Sequence, residues 1–361
     1  MDLHIVGGFL GSGKTTAIIG AVKQLMAQGK RVGVVTNDQG RYLVDTAFFR
    51  SEAVPAVEVT GGCFCCNYAD LDAQLAQLVA SAAPDVIFAE SVGSCADIVA
   101  TVVKPLLQVG GVGTPRPTSF SVFADARLLR RRLLGQPMPF SEDVVYLFDK
   151  QIEEAGMLII NKRDLLTPEA EAEVPALARQ RFPHATVRLQ NSLAIEEVVG
   201  WVAALDAGLA APPETSLEID YERYGAGEAE LAWLDERVIF RGVSGQSRAV
   251  VQAFISRLLA ALEQQDLTIG HLKFHIRGGD SEVKISLPTL RAGDWASELP
   301  AMEGAEVDLL VNARVEAQAT LLHTLVDEVA DSTAQAFDAT CEISDVAAFH
   351  PALPRPTHRI G

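Results

Sequence analysis

Short apolar runs alternate with longer stretches of helical periodicity along the first half of the chain. The apolar runs LHIVGGF, RVGVVTND, DVIFAES and MLIINKRD are compact, and amphipathic stretches such as TTAIIGAVKQLMAQ and LDAQLAQLVASA lie between such runs. Strands that alternate with helices predict crossover connections and a mainly parallel sheet that is covered on both faces. We therefore expect an α/β domain over residues 1–208.

The pattern changes after this region. The segment DAGLAAPPETSLEIDYERYGAGE contains a Pro-Pro pair and several glycines, which is typical of a linker, and we assign residues 209–232 to it. The apolar pattern that follows predicts the order strand, helix, three strands, helix, strand. This order fits a split βαβ fold with one extra strand. Residues 233–361 are therefore expected to form a smaller, ferredoxin-like α+β domain.

Length and charge narrow the classes of protein to which the chain can belong. Its 361 residues support two domains, because one hydrophobic core rarely grows that large. A formal net charge of −17 disfavours partners that need a basic surface, so we expect neither nucleic acid nor membrane as a partner. The first ten residues do not resemble a signal peptide, and no apolar run reaches the length of about 18 residues that a membrane span needs. We expect a cytoplasmic protein.

A glycine-rich motif directly follows the first apolar run. The sequence GFLGSGKT matches the P-loop pattern G-x-x-x-x-G-K-[ST] and opens a predicted helix. Backbone N–H groups in such a turn bind phosphate, its lysine reaches the β- and γ-phosphates, and the next hydroxyl ligates Mg²⁺. We therefore expect Lys14 to be a catalytic residue and Thr15 to be a Mg²⁺ ligand. The expected nucleotide-binding residues of this motif are Gly11, Ser12, Gly13, Lys14, Thr15 and Thr16.

Two later segments predict which base is bound. In the sequence NKRD, a carboxylate at the fourth position can accept hydrogen bonds from N1–H and the 2-amino group of guanine, whereas adenine offers neither donor. We therefore expect Asn161, Lys162 and Asp164 to bind GTP or GDP rather than ATP. Asn191 and Ser192 follow a later strand-like run, and we expect them in the loop that packs over guanine.

An acid ends another predicted strand. Glu90 closes the run DVIFAE, and Gly93 follows three residues later. In P-loop enzymes an acid at this place holds a Mg²⁺-bound water, and the Gly93 N–H would meet the γ-phosphate. We therefore expect Glu90 to act with Thr15 at the Mg²⁺ site. Glu90 and Asp38 are the catalytic candidates for orienting the attacking water.

Three of the five cysteines, Cys63, Cys65 and Cys66, fall within four positions after a glycine pair. In a reducing compartment such a cluster is typical of metal binding, and thiolates are soft ligands suited to Zn²⁺, and also to Co²⁺ or Ni²⁺. The cluster can use all three thiols, or two thiols with an outside ligand such as Asp38, Cys95 or a histidine. Redox chemistry and simple burial of small apolar side chains are the alternatives. We favour metal binding.

Along the chain the four motifs follow one another in the order P-loop, cysteine cluster, Glu90–Gly93 and NKRD. In this order they resemble the motifs of the CobW-type metallochaperone GTPases, relatives of the GTPases that insert nickel into urease and hydrogenase. The resemblance covers roughly residues 1–210. There are two departures: the family's Asn-Glu-x-Gly segment is here Asn-Asp-Gln-Gly, at residues 37–40, and no histidine-rich tract is present. The family motifs GFLG-[AS]-GKTT, G-C-x-C-C, E-[ST]-x-G and NKxD match Gly8–Thr16, Gly62–Cys66, Glu90–Gly93 and Asn161–Asp164.

The resemblance implies a GTPase that captures a transition metal, Zn²⁺ or else Co²⁺ or Ni²⁺, and delivers it to a client metalloprotein or a cofactor-assembly enzyme. Slow intrinsic turnover is expected, because catalysis would rest on positioning and on charge neutralisation by Lys14, Mg²⁺ and the P-loop amides. We expect a monomer or a homodimer. The alternative is a nucleotide-dependent regulatory or scaffold protein whose zinc is purely structural.

Overall fold

The computed structural model describes residues 1–37, 49, 54–59, 61–111, 113–290 and 293–361. Asp38, a candidate catalytic and metal-binding residue, lies outside these residues. The chain forms two compact units. The first contains the described residues up to Gly227 together with Leu353–Gly361, and the second contains Glu228–Ala352.

A seven-stranded sheet forms the centre of the first unit. Its strands are β1 (Asp2–Gly8), β2 (Val32–Asn37), β3 (Ala56–Val59), β4 (Val86–Glu90), β5 (Pro117–Asp125), β6 (Met157–Asn161) and β7 (Thr186–Gln190). The strand order is β3-β2-β4-β1-β5-β6-β7 and the pairings are parallel, which confirms the predicted α/β architecture.

Helices connect these strands. They are α1 (Lys14–Ala27), α2 (Tyr68–Ala82), α3 (Lys104–Gln108), α4 (Ala126–Leu133), α5 (Glu142–Glu153), α6 (Pro168–Arg181) and α7 (Ile195–Asp206). A π-helical turn, Val99–Val103, runs into α3, and a 3₁₀ turn, Arg163–Leu165, follows β6.

Strands such as β1 and β6 are buried along nearly their whole length, because apolar side chains cover both faces of the sheet. On one face, Val6, Ile18 and Trp201 bring β1, α1 and α7 into one core. Because the strands are parallel, their carboxyl ends meet along one edge of the sheet. The loops after β1, β4 and β6 therefore bring the predicted motifs to that edge.

The segment expected to be a linker is partly helical. Helix α8, Tyr221–Glu230, lies inside residues 209–232, and a further strand starts at Leu231. An added Cβ on Gly225 would overlap the Leu353 side chain, and one on Gly227 would overlap the carbonyl oxygen of Asp143. The glycines that indicate a linker in the sequence thus allow close contacts with residues far away along the chain.

The second unit is built on a five-stranded antiparallel sheet. Its elements are β8 (Leu231–Arg241), α9 (Ser247–Gln264), β9 (Thr268–Gly278), β10 (Ser281–Pro288), a 3₁₀ turn (Trp295–Glu298), β11 (Glu306–Glu316), α10 (Ala319–Ala336) and β12 (Thr340–Phe349). The strand order is β10-β9-β11-β8-β12. Four of these strands have the order of a split βαβ fold, so the prediction of this fold with one extra strand is confirmed. The extra strand is β10, at the edge of the sheet. Its core includes Phe254, Phe274 and Val326.

None of the helices among the described residues combines the length and the apolar character that a bilayer span requires.

A buried carboxyl group lies at the end of α5. Glu154, which follows the last residue of α5, is 3% exposed, and its Oε2 accepts a hydrogen bond from the Val99 backbone N–H at 3.0 Å. Burial raises the pKa of this carboxyl group from 4.5 to about 8. The folded chain therefore keeps the proton in a pH range where the unfolded chain releases it.

We predict that this carboxyl group makes the first unit less stable as the pH rises. Its contribution is fully present below pH 4.5 and is lost as the pH rises through about 8, a change on the order of a few kcal/mol in the free energy of unfolding. Glu154→Gln should remove this part of the pH dependence, because an amide does not titrate. Urea unfolding between about pH 5 and pH 8 measures the effect, with Glu153→Gln as the matched control. Parallel pH profiles for wild type and Glu154→Gln would show that the folded chain does not hold the proton.

Candidate nucleotide and metal site

The turn after β1 requires glycine at two positions. Gly8 has φ +125° and Gly13 has φ +93°, a region that other residues rarely adopt. An added Cβ on Gly8 would overlap the carbonyl oxygen of Phe123, and one on Gly13 would overlap the side-chain amide of Asn161. The P-loop backbone therefore runs directly against β5 and β6, and α1 begins at once after it, at Lys14.

The predicted phosphate and Mg²⁺ groups lie together at the start of α1. The buried Lys14 donates from Nζ to two carbonyl oxygens of the P-loop, at 2.7 and 3.2 Å. Thr15 Oγ1 donates to Glu90 Oε1 at 2.8 Å. The buried Ser12 hydroxyl has no hydrogen-bond partner within the described ranges. An ammonium group, a hydroxyl–carboxylate pair and an unpaired hydroxyl beside a helix N-terminus fit a phosphate chain with Mg²⁺.

The amide of Asn161, at the end of β6, connects three segments. Its Nδ2 donates to the Ser12 carbonyl oxygen at 2.7 Å. Its Oδ1 accepts hydrogen bonds from the N–H and the hydroxyl of Ser192, at 3.1 and 2.8 Å. Asn161 is only 1% exposed, so these bonds are shielded from water. The side chain therefore fixes the P-loop relative to the loop that follows β7.

Lys162 makes a second connection to the P-loop. Its Nζ donates to the Gly11 carbonyl oxygen at 2.6 Å and lies 3.1 Å from Asp125 Oδ2. Burial lowers the pKa of Lys162, although Asp125 favours its charged form. Burial opposes ionisation of Asp125, but Arg127 and Lys162 together hold its pKa below the ordinary value. Asp125, which ends β5, is a site residue that the motifs did not identify.

The residues predicted to bind the base lie at the same edge of the sheet. Asp164 is exposed in the 3₁₀ turn after β6. Its neighbour Arg163 forms ion pairs with Glu171 and Glu197. Glu197 Oε2 also accepts a hydrogen bond from the Asn191 N–H at 2.8 Å. The ion pairs therefore hold the two candidate base-binding segments together.

The loop after β4 lies between the P-loop and a fourth cysteine. An added Cβ on Gly93 would come within 2.6 Å of Leu10 Cδ2 and 3.2 Å of Leu10 Cα, so this loop packs against the P-loop. Gln151 from α5 is 1% exposed and donates from Nε2 to the carbonyl oxygens of Gly93 at 3.0 Å and Cys95 at 2.9 Å. One buried amide thus holds both ends of the segment from Gly93 to Cys95.

The three clustered cysteines lie in a tight turn just before α2. The Cys66 N–H donates to the Cys63 carbonyl oxygen at 3.1 Å. Asn37, the last residue of β2, donates from Nδ2 to the Gly62 carbonyl oxygen at 2.8 Å and accepts at Oδ1 from the Phe64 N–H at 2.8 Å. A buried amide therefore fixes the backbone that carries the thiols.

The sulfur atoms of Cys63, Cys65 and Cys66 all lie within 4.8 Å of one another. The distances are 2.6 Å between Cys63 and Cys65 and 3.7 Å between Cys65 and Cys66. The Cys95 thiol also interacts with Cys63 and Cys65. Hydrogen bonds from Cys65 and its neighbours lower the pKa of Cys63 well below its ordinary value, and the same contacts raise the pKa of Cys65 well above it. One thiolate supported by several thiols suits a soft divalent cation.

The segment Leu353–Gly361 lies along the cysteine turn, and no sequence pattern predicts this contact. The Arg355 N–H donates to Cys66 Sγ at 3.3 Å. Thr357 donates through its N–H to the Cys65 carbonyl oxygen at 2.9 Å and through its hydroxyl to the Cys66 carbonyl oxygen at 3.0 Å. An N–H donor stabilises the thiolate form of a sulfur atom, so this segment contributes to the electrostatics of the cluster.

The fold gathers at one edge those predicted site residues that the structure describes, and their roles in binding and catalysis stay predictions; Asp38 lies outside the described residues. Thr16 is exposed, unlike its buried neighbour Thr15. Asp125 could have been found, because it ends an apolar strand in the same way as Glu90 does. The contribution of Gln151 depends on tertiary packing alone and has no signal in the sequence.

The chain is similar to known proteins over its first half. The family model for the CobW/HypB/UreG nucleotide-binding domain matches residues 2–188. The zinc chaperone CobW of Pseudomonas aeruginosa is 28% identical over 222 residues, which cover 53% of this chain and 56% of that protein. The zinc chaperone YeiR of Escherichia coli is 29% identical over 178 residues, which cover 46% of this chain and 48% of that protein. The chain spans about half the length of these curated relatives.

Among solved structures, one of HypB from Helicobacter pylori in complex with nickel aligns with 60% of this chain and 92% of that chain, at 14% identity and a TM-score of 0.41.

We predict that Asn161→Ala destabilises the first unit. The change leaves the Ser12 carbonyl and the Ser192 N–H without their buried partner, at a cost of about 1–3 kcal/mol in the free energy of unfolding. Denaturant unfolding measures this cost. Asn191→Ala is the control, because the Asn191 amide oxygen accepts a local hydrogen bond, at 2.9 Å, from the Leu193 N–H two residues further along the chain. Equal stability of the two variants would contradict the connecting role of Asn161.

Proposed function

The chain belongs to the CobW/HypB/UreG family, and on that premise we propose that it is a GTP-hydrolysing metallochaperone. It captures Zn²⁺, or else Co²⁺ or Ni²⁺, on Cys63, Cys65 and Cys66 and delivers the ion to a client metalloprotein or a cofactor-assembly enzyme. The names of the curated relatives, zinc chaperones, favour zinc. The observation that carries the proposal is the loop after β4: Glu90 bonds to Thr15 of the P-loop, and Cys95 on the same loop contacts the cysteine cluster.

In the proposed reaction a water molecule attacks the γ-phosphate of GTP and displaces GDP. Lys14 supplies positive charge that offsets the charge on the transferred phosphoryl group, and the P-loop N–H groups hold the phosphate chain. Mg²⁺, held by Thr15 and Glu90, supplies further charge neutralisation. Glu90 or Asp38 orients the water. Catalysis by positioning and charge alone gives slow intrinsic turnover, which suits a protein that works as a switch.

Guanine recognition is assigned to Asp164, with Asn161 and Lys162 as supports. This assignment is supported by the side-chain amide of Asn161. Its nitrogen donates to Ser12 and its oxygen accepts from Ser192, so this residue aligns the proposed base site with the P-loop. The exposed carboxylate of Asp164 stands next to this arrangement and is available to a ligand.

We predict that Asp164→Asn lowers the affinity for GTP by roughly 10- to 100-fold, because a charged acceptor for two guanine N–H groups is lost. The same variant should bind xanthosine triphosphate better than wild type does, since xanthine carries an oxygen where guanine carries its 2-amino group. Displacement titrations with GTP, ATP and xanthosine triphosphate measure this. Glu169→Gln, at an exposed acid near by, is the matched control. Equal competition by ATP and GTP in wild type would remove the guanine assignment.

Contacts between the nucleotide and metal groups support coupling of the two sites. Gly93 packs on Leu10 of the P-loop, and two residues later Cys95 meets the sulfur cluster. A change in the γ-phosphate environment of Glu90 would therefore reach the thiols through a short, packed segment. We infer that Mg-GTP tightens metal binding and that hydrolysis loosens it, which permits delivery.

A structural zinc site is the second candidate, and one observation favours it. Cys63 and Cys65 are buried, and Leu353–Gly361 lies along their turn. A closed site of this kind holds its metal regardless of the nucleotide. The protein would then act as a nucleotide-dependent regulator or scaffold.

The two candidates differ in a measurable linkage. If the sites are coupled, Zn²⁺ should bind about 5- to 150-fold more tightly with a non-hydrolysable GTP analogue than with GDP, and zinc should tighten binding of the analogue by the same factor. Competition titration with a zinc chelator measures the first effect, and titration of the analogue with and without zinc measures the second.

Two variants complete this test. Cys65→Ser/Cys66→Ser should abolish tight zinc binding at the cysteine turn, whereas Cys341→Ser, on β12 of the second unit, should leave it unchanged. Equal zinc affinity in both nucleotide states would establish the structural site instead of the chaperone. Unchanged zinc affinity in the double variant would remove the cysteine turn from the site.

A further inference from the structure

The second unit contains a cluster of metal-binding groups of different chemistry. Glu236 lies in the middle of β8, on the same face as Leu234 and Val238, which point into the apolar core. Helix α10 contributes buried apolar residues to that same core. Most of the side chains around a carboxylate at such a position are apolar and offer it no hydrogen bond.

Two residues of α10 meet this carboxylate. His323 Nδ1 lies 3.2 Å from Glu236 Oε2, and His323 Nε2 lies 3.4 Å from Asp327 Oδ2. His323 and Asp327 are four residues apart and therefore share one face of the helix. One candidate ligand atom from each of the three residues lies within 4.8 Å of the other two.

Two oxygen atoms in this cluster lack partners. Glu236 is 0% exposed, and its Oε1 has no hydrogen-bond partner among the residues described. The same holds for the buried Oδ1 of Asp327. A buried carboxylate oxygen without a partner costs free energy, and native structures usually satisfy such groups with a donor, water or an ion. The unpaired Glu236 oxygen is thus an independent sign of a missing positive group.

We propose that Glu236, His323 and Asp327 bind a divalent transition-metal cation. Two carboxylates and an imidazole form a nitrogen and oxygen donor set that suits Zn²⁺ or Co²⁺, and it is harder than the thiolate set of the cysteine turn. One ring nitrogen of His323 binds the cation while the other keeps a hydrogen bond to a carboxylate. Three protein ligands leave a coordination position open.

The site is accessible from one side. The side chains of His323 and Asp327 are 32% and 39% exposed, whereas that of Glu236 is fully buried. A cation can therefore enter from the helix side and exchange with solvent. The metal site of the second unit depends neither on nucleotide nor on the cysteines, so its failure and that of the proposed function are separate outcomes.

The competing explanation is that the cluster holds a proton instead of a cation. Burial, followed by the nearby charge of Asp327, raises the pKa of Glu236 to about 8. A neutral carboxyl group beside His323 would satisfy part of the cluster without any metal. Direct measurement of metal binding distinguishes the two explanations.

The experiment uses the full chain with Cys63, Cys65 and Cys66 replaced by serine, so that the cysteine site is absent. Titration with Co²⁺ should show one bound equivalent with visible d–d absorption and without thiolate-to-cobalt charge transfer. Adding Glu236→Gln should weaken Co²⁺ and Zn²⁺ binding by at least about tenfold. Glu328→Gln, at an exposed position of the same helix, is the matched control and should bind as the parent does.

Glu236→Gln keeps the shape of the side chain, and thermal unfolding checks that the variant is folded. If it is not, His323→Ala repeats the test at a position that is partly exposed. Equal metal affinity in the parent, the ligand variants and Glu328→Gln overturns the proposal. Absence of a bound equivalent in the parent also overturns it and leaves the cluster as a proton-holding group.

Discussion

The hydrogen bond between the Asn161 amide and the Ser12 carbonyl is the contact on which the first unit's site depends. The P-loop follows β1, whereas Asn161 ends β6, so the bond joins two segments that are far apart in sequence. The same amide receives both donors of Ser192 after β7. Because the group is buried, each of these bonds is costly to break. The P-loop and the candidate base-binding segment at Ser192 are therefore held in one register.

A comparable device fixes the thiols. Asn37 ends β2 and bonds to the cysteine turn on both sides of Cys63, while Gln151 holds the loop of Cys95. Buried amides suit this task because they donate and accept at once without carrying charge. The cluster thus receives its geometry from neutral amide groups. A cation entering the cluster meets no competing positive side chain from these supports.

Apolar periodicity predicted the parallel sheet and the split βαβ fold, because both depend on local spacing, whereas the roles of the candidate site residues stay predictions. The glycines of the predicted linker have a role that local spacing does not reveal. Gly225 and Gly227 leave room for close contacts with Leu353 and Asp143, which a Cβ atom would block. The hydrogen bond from the Arg355 N–H to Cys66 Sγ joins residues 289 positions apart, and no local pattern reveals it either. The sequence does not single out Glu236, because an acid within a strand is informative only once the side chains of the helix packed on it are known.

The segment Leu353–Gly361 is separated from the rest of the first unit by the whole of the second unit. Its contact with the cysteine turn therefore closes a long chain loop, and the entropy of that closure depends on what the loop contains. A folded insert restricts the positions that the ends of the loop can take, whereas a disordered one lets them spread. The order of the second unit thus sets the effective concentration of Arg355 and Thr357 at the thiols.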